Sequence, residues 1–277
     1  MNPAAGIGLK ALHGEPALAS PAADLWFEVH AENYMVAGGP RLALLEQVRA
    51  ARPLSLHGVG LSLAGAQLPD LAHLAALKRL ADRFEPFALS EHLAWSRHGG
   101  AALPDLLPVP RTNAALAAIC RNIDFAQSLL GRQLLIENPS HYLTLAGHGW
   151  SEPEFLAEIV RRTGCGLLLD LANVHVSAVN LGFDPLDYLA AFPCAAVAEI
   201  HVAGSLRDTA CDLLVDNHGA PVAAPVWALL ERFIRHHGPR PVLVEWDREV
   251  PEFSVLMAER TKAARLIAAS QRETADA

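Results

Sequence analysis

Apolar runs that stop on a carboxylate or an imidazole recur along this chain. The clearest is CGLLLDLANVHVS over residues 165–177, unbroken to Asp170 and passing through Asn173 to His175. A run bounded in this way predicts a strand buried on both faces, with its chemistry at the C-terminal end. The same pattern recurs in LSLHG at His57, LLIEN at Glu137, VAEIH at His201, LVDNH at Asp216 and His218, and VLVEW at Glu245. FALSEH is another strand, whose Glu91 and His92 point to opposite faces, so that only one can face the axis. A further strand lies in DLWFEVHAENY, where Glu28 and His30 are two apart and so share a face, with Glu32 and Asn33 following at its mouth. Charged groups are costly to bury unless paired or metal-bound, so strands that each end in one imply that the ends converge.

Helical spacing fills most of the intervals. Leu42, Leu44, Leu45 and Val48 mark a helix over residues 41–51, and Asp70 is placed to cap a Leu-rich helix reaching Phe84. Residues 112–130 keep a helical period up to Gly131, and Ser151 with Glu154 forms a capping box for a helix ending at Gly164. Shorter or later helices are predicted over 184–191, 225–237 and 254–269. Residues 95–110 are rich in Gly and Pro without a period and predict a long loop over the mouth.

Eight strands, most alternating with helices, predict an α/β fold: a single-domain (β/α)₈ barrel of the TIM type, xylose-isomerase-like, with frayed ends at about residues 1–6 and 270–277. One interval departs from the regular unit, because residues 202–212 are too few for a full crossover helix. A doubly wound sheet is the alternative, but HAENYMVAGGP after the first strand is not a glycine-rich phosphate loop.

Composition narrows the function. A net charge of −8 argues against a nucleic-acid partner, and no window carries an apolar run long enough to span a membrane, so a cytoplasmic protein is expected. Cys120, Cys165, Cys194 and Cys211 have no CxxC spacing and read as small buried residues. Of the 13 histidines, His13, His73, His98, His141, His148, His236 and His237 fall in predicted loops or helices and are expected to be solvated.

The remaining residues suggest a metal centre. His57, His92, Glu137, Asp170, His175, His201, Asp216, His218 and Glu245 outnumber the ligands one ion can use, so a multinuclear site follows. A polar residue at a single strand end is as often a turn former as a ligand; the recurrence over seven strands carries the case. Mixed imidazole and carboxylate ligation suits iron, manganese or zinc alike. Glu28, His30, Asn138 and Asn173 are candidates to orient the ligands. Asp247, two beyond Glu245, is a candidate catalytic base or outer ligand, and a turn carboxylate before Pro251 is its plain alternative. Trp95 and Trp246 could line the pocket.

Taken together, FEVHAENYM, SLHGVGLSL, SEHLAWS, LLIENPS, CGLLLD through NVHVSA, EIHVAG, VDNHG and VEWD make the chain resemble the multinuclear non-heme iron-dependent oxidative enzymes, the group of the methanobactin-biosynthesis oxidase and the bufferin-maturation enzymes. The resemblance implies a barrel binding two or three irons, Fe(II) or Fe(III), that uses dioxygen to oxidise cysteines of a ribosomally made precursor peptide to oxazolone with thioamide, or to thiooxazole. It implies that the nine candidate ligands bind iron and that the HAENY segment and Asn173 belong to the pocket. Leu171 and Ala172 depart from it, because many relatives carry a polar Asn just before the position of Asn173. The family works with a separate protein that recognises the leader of the precursor, which implies a hetero-complex. Two other readings gather the same residue types at strand ends. One is a metal-dependent isomerase or phosphodiesterase resembling xylose isomerase or the apurinic-site endonucleases; the other is a non-catalytic metal-binding protein.

Overall fold

The computed structural model describes residues 4–98 and 101–275. Eight strands form its closed barrel: β1 (Ala5–Gly8), β2 (Trp26–His30), β3 (Leu54–Gly58), β4 (Ala88–His92), β5 (Leu135–Glu137), β6 (Gly166–Asp170), β7 (Val197–Ala203) and β8 (Val242–Glu245). Each pairs in parallel with its neighbours in chain order, and β1 closes the ring on β8 with Ala5 opposite Val242. Helices follow the strands and cover the barrel with their apolar faces, as in Leu71–Phe84 and Ala224–His237. The expected caps are present: Asp70 accepts from the His73 amide, Ser151 and Glu154 close a reciprocal box, and Gly131 and Gly164 end their helices in the left-handed conformation.

The α/β barrel is therefore as the sequence predicts, but one of its strands is not. Ala5–Gly8 forms β1, so Ala5 and Gly6, expected to fray, are buried in the barrel wall; residues 1–3 lie outside the described residues. The segment LLVDNHG is not a barrel strand. Leu213–Val215 pairs antiparallel with Leu206–Asp208 in a hairpin beyond β7, which is what the short interval after His201 allows. The expected loop over 95–110 is largely a second hairpin, Trp95–His98 against Ala101–Leu107, with Gly99 and Gly100 outside the described residues. The run through 165–177 splits at Asp170, whose carboxylate accepts from the Asn173 amide and starts a helix over Leu171–Leu181. The last helix, Phe253–Ala275, outruns its predicted end into the expected tail; residues 276 and 277 lie outside the described residues. Cys211 is exposed, unlike the other cysteines.

Inward positions follow the strand period of two. On β2 they run Trp26, Glu28, His30, apolar at the bottom and ionisable toward the mouth. Trp26 is fully buried and meets Phe87 edge to face at 5.0 Å. Its indole occupies the space a side chain at position 6 would need, since a Cβ on Gly6 would lie 2.3 Å from the ring. That close approach requires the glycine. No described helix is long and apolar enough to cross a membrane.

Candidate metal centre

Barrel register sets the ionisable residues side by side at the C-terminal ends of the strands. His30 lies opposite His57, His92 opposite Glu137, and Asp170 opposite His201. The C-terminal mouth is where barrel enzymes carry their chemistry.

The first group is His57, His92 and Glu137. Both imidazole Nε2 atoms lie near one oxygen, Glu137 Oε2, at 3.3 and 3.2 Å, and 3.4 Å from each other. The opposite ring nitrogens fix the tautomers. His92 Nδ1 faces the Gly58 carbonyl at 3.3 Å, which can only accept, so Nδ1 carries the proton. His57 Nδ1 is 2.7 Å from Ser90 Oγ, whose own proton goes to the Leu56 carbonyl. Both Nε2 atoms therefore present lone pairs, and they converge with a carboxylate oxygen in a buried space. Such an arrangement is repulsive by itself and favourable around a cation.

Glu137 also belongs to a second group with Asp170 and His201, the three ligand atoms lying within 4.8 Å of one another. Two asparagines hold it. Asn138 exchanges hydrogen bonds with the Asp170 backbone at 2.9 and 3.0 Å, prolonging the pairing of β5 and β6 past Glu137. Asn173 donates its amide to Asp170 Oδ1 at 2.6 Å and its side chain to Glu137 Oε1 at 3.3 Å. Glu137 Oε2, Asp170 Oδ2 and Asn173 Oδ1 remain buried without hydrogen-bond partners. Orphaned oxygens of this kind fit a cation's needs.

The third group joins Asp170, His218 and Glu245. Glu245 is its hub: Oε2 lies 3.0 Å from His201 Nδ1 and 3.5 Å from His218 Nδ1, and Oε1 lies 3.4 Å from His30 Nε2. His218 takes a left-handed backbone, φ 48°, rare for a residue with a side chain, and its carbonyl accepts from the Asp247 amide. Asp216 Oδ1 and His218 Nε2 stand 2.7 Å apart, yet neither makes a well-directed hydrogen bond. Asp247 Oδ2 takes His218 Nδ1 at 3.1 Å, and its Oδ1 pairs with Lys10. Deeper in the barrel, Ser55 Oγ lies 3.0 Å from Glu28 and 3.1 Å from Glu199, and both carboxylates face His201 Nε2.

Burial and charge divide the centre. Burial, aided by neighbouring His92 and His201, holds His57 well below its ordinary range, and burial takes His92 down to about 4, so both rings are neutral. Burial also pushes Glu137 well up, and with the charge of Asp216 it takes Asp170 to about 7. Burial opposes charge on His201 and His218, but Glu28 beside the first and Asp216 beside the second outweigh it and raise both rings well above the usual value. At Glu245 burial is likewise overridden, by His218 and then by its hydrogen bonds to His201 and His218, which hold it well below the carboxylate range.

Most of the expected ligands thus meet, but His175 does not join them. It sits half-buried on the helix after Asp170 and shares none of the donor groups found among the described residues. Glu32 turns to a different task, accepting from the Val59 amide and pairing with His73 at 3.0 and 3.1 Å, so it braces the turn after β3. Asn33 lines a cavity beside the centre. His13 and His141, expected to be solvated, are buried against the Pro251 carbonyl and Glu152. Trp246 is buried and Trp95 half-buried. Sequence reading missed Lys10 and left out Glu199. Lys10 follows the unrecognised strand β1; Glu199 shares the face of His201, and that spacing was the available signal.

Known proteins bear on this geometry in two ways. By fold, the chain superposes on an L-ribulose 3-epimerase with a TM-score of 0.61 at 13% identity, covering 99% of this chain and 97% of that one. Endonuclease IV from Thermus thermophilus gives 0.59 at 20% identity, over 98% and 100%. These likenesses show the xylose-isomerase-like barrel alone. By sequence, it is 58% identical to a UPF0276 protein of Caulobacter vibrioides over 98% of this chain and 97% of the relative. It is 48% identical to the UPF0276 protein RB0508 of Rhizobium meliloti over 95% and 86%. Residues 4–268 match the family described as RiPP precursor modification enzyme MbnB/TglH/ChrH. A barrel with its ionisable residues gathered at one mouth, matched along nearly its whole length, belongs to that family of peptide-modifying enzymes.

Proposed function

We propose that this enzyme is a multinuclear iron oxidase that uses dioxygen to modify cysteines of a ribosomally made precursor peptide, by chemistry of the oxazolone and thioamide or thiooxazole type. One observation carries the metal part of the reading: two lone-pair nitrogens, of His57 and His92, converge on the orphaned oxygen of Glu137, which also serves the next donor group. His57, His92 and Glu137 would hold one ion. Glu137, Asp170 and His201 would hold a second, and Asp170, His218 and Glu245, with Asp216 beside them, a third. The donor set fits iron: neutral imidazoles at His57 and His92, imidazoles at His201 and His218 that would give up a proton on binding, and carboxylates able to bridge. Bound iron would supply binding of the substrate thiolate and activation of dioxygen.

The chain's own residues do the rest. Ser90, the Gly58 carbonyl, Asn138 and Asn173 fix the orientation of the donors. Asp247, held between Lys10 and His218, is the proposed base that takes a proton from the substrate at the mouth. Leader recognition falls to a separate protein docked on the loops of the mouth, and the complex acts in the cytoplasm.

Purification without oxygen, followed by elemental analysis and Mössbauer spectroscopy of iron-enriched protein, tests the metal. Two or more irons per chain, with dioxygen consumed in the presence of a Cys-containing precursor and its partner protein, is the expected result. Full occupancy by zinc or manganese, inert to oxygen and not exchangeable for active iron, would move the assignment to a barrel isomerase or hydrolase.

A further inference from the structure

Beside the metal centre a cavity of about 180 Å³ opens between the ends of β1, β2 and β8. Its floor is Glu28, His30 and Glu245, each of which also belongs to one of the donor groups. Its rim is different, being formed by Lys10, Asn33, Tyr34 and Arg41. The charges there do not cancel. Lys10 is matched by Asp247, and Glu245 is engaged by His201, His218 and His30. Arg41 makes one hydrogen bond, from Nη1 to the Asn33 carbonyl at 3.3 Å, and has no acidic partner among the described residues. Tyr34 is 5% exposed, and its hydroxyl makes no hydrogen bond among the described residues. A guanidinium fork without an acid and a tyrosine hydroxyl without a protein acceptor stand on the wall of one cavity, where both can donate to an incoming acceptor.

We propose that this cavity is a carboxylate-binding subsite, in which Arg41 and Tyr34, with Lys10 beside them, receive one carboxylate of the substrate peptide while an adjacent residue of that peptide reaches the metal centre. With Lys10 paired to Asp247, Arg41 is the rim cation left without an acid and matches a monoanion, while the floor carboxylates Glu28 and Glu245 face His201 and His30. The guanidinium fork matches the planar geometry of a carboxylate. The volume takes a carboxylate on a short carbon stem. Two parts of a peptide offer that group, an acidic side chain and the C-terminus. The proposal rests on the peptide reading above for the identity of its ligand, and the two separate in the test.

Calorimetric titration of the metal-loaded protein with short capped peptides reads binding without turnover. The probes are Ac-Cys-Glu-NH₂, Ac-Cys-Gln-NH₂, Ac-Cys-Ala-OH and Ac-Cys-Ala-NH₂, together with the same four carrying Ala for Cys. At least one carboxylated probe should bind about tenfold more tightly than its amide counterpart. Which of the two does so identifies the side chain or the terminus as the source. Arg41→Gln should erase that difference, and Tyr34→Phe should reduce it by about half on a logarithmic scale. Arg41 is exposed with a single hydrogen bond, so its replacement leaves the fold intact. Equal affinity for acid and amide in the wild type, a difference that survives Arg41→Gln, or no binding of any probe would overturn the subsite. Exchange of Cys for Ala tests the thiol independently: if it changes nothing while the acid preference persists, the cysteine chemistry fails and the subsite stands.

Discussion

The two sides of the mouth are built in different ways. On one side, His57, His92 and Glu137 end regular strands in mutual register, and each imidazole is anchored through its far nitrogen to the barrel itself. On the other, Asp216 and His218 arrive on a segment returning from a hairpin, His218 bends into a left-handed backbone, and its ring lies within ion-pair distance of Asp216 and Asp247. The first side is neutral, rigid and left with colliding lone pairs; the second carries its own positive charge on His201 and His218. On the first side a cation would compete with a proton on Glu137 alone, whereas on the second it would compete with those on His201 and His218 as well.

The largest effect is expected at Glu137, where the strand-held group joins the rest. Glu137→Ala should remove bound metal and turnover together, read by elemental analysis and peptide mass; full metal with full activity would strike it from the ligands. Next, His92→Ala and His218→Ala should part company. Loss of a strand-held donor should weaken metal binding by at least about 100-fold in chelator competition, and loss of His218 by about tenfold. Equal losses would erase the contrast between the two sides.

Acidity offers a third lever. Asp170, pushed up to about 7 by burial, holds a proton below neutral pH, burial raises Glu137 in the same direction, and a cation must displace what they hold. Metal affinity should fall by about tenfold for each unit and each displaced proton as pH drops below 7, with proton release visible in buffers of different ionisation enthalpy. A flat profile would mean that the carboxylates are already ionised. The smallest change should follow Ser90→Ala, which frees His57 to adopt the wrong tautomer and should cost about tenfold in metal affinity with the fold unaltered. An unchanged affinity would show that the barrel alone orients the ring.

Much of this architecture was legible because burial and charge leave marks in the sequence. His57, Glu137, His201 and Glu245 end largely apolar strands, and the helix caps at Asp70 and Ser151 use side chains with few other purposes there. β1 escaped because AGIG has two glycines in four residues and no alternation to read; what it contributes is room for Trp26. LLVDNHG carried the right ending on the wrong element, and only the length of the preceding interval betrayed it. His175 misled for a different reason: an apolar run looks alike as a buried strand or a buried helix, and the change comes at the capping carboxylate of Asp170. The burial of His13 and His141 depends on the Pro251 carbonyl and Glu152, partners that chain order does not reveal.

The hairpin of Leu206–Asp208 and Leu213–Val215 contributes nothing to the closed ladder of the barrel. Residues can therefore be inserted or deleted in it without shifting any strand by a step, while the reach of the segment that delivers Asp216 and His218 changes. A change of length there would redraw that side of the mouth and leave the strand-held side unaltered.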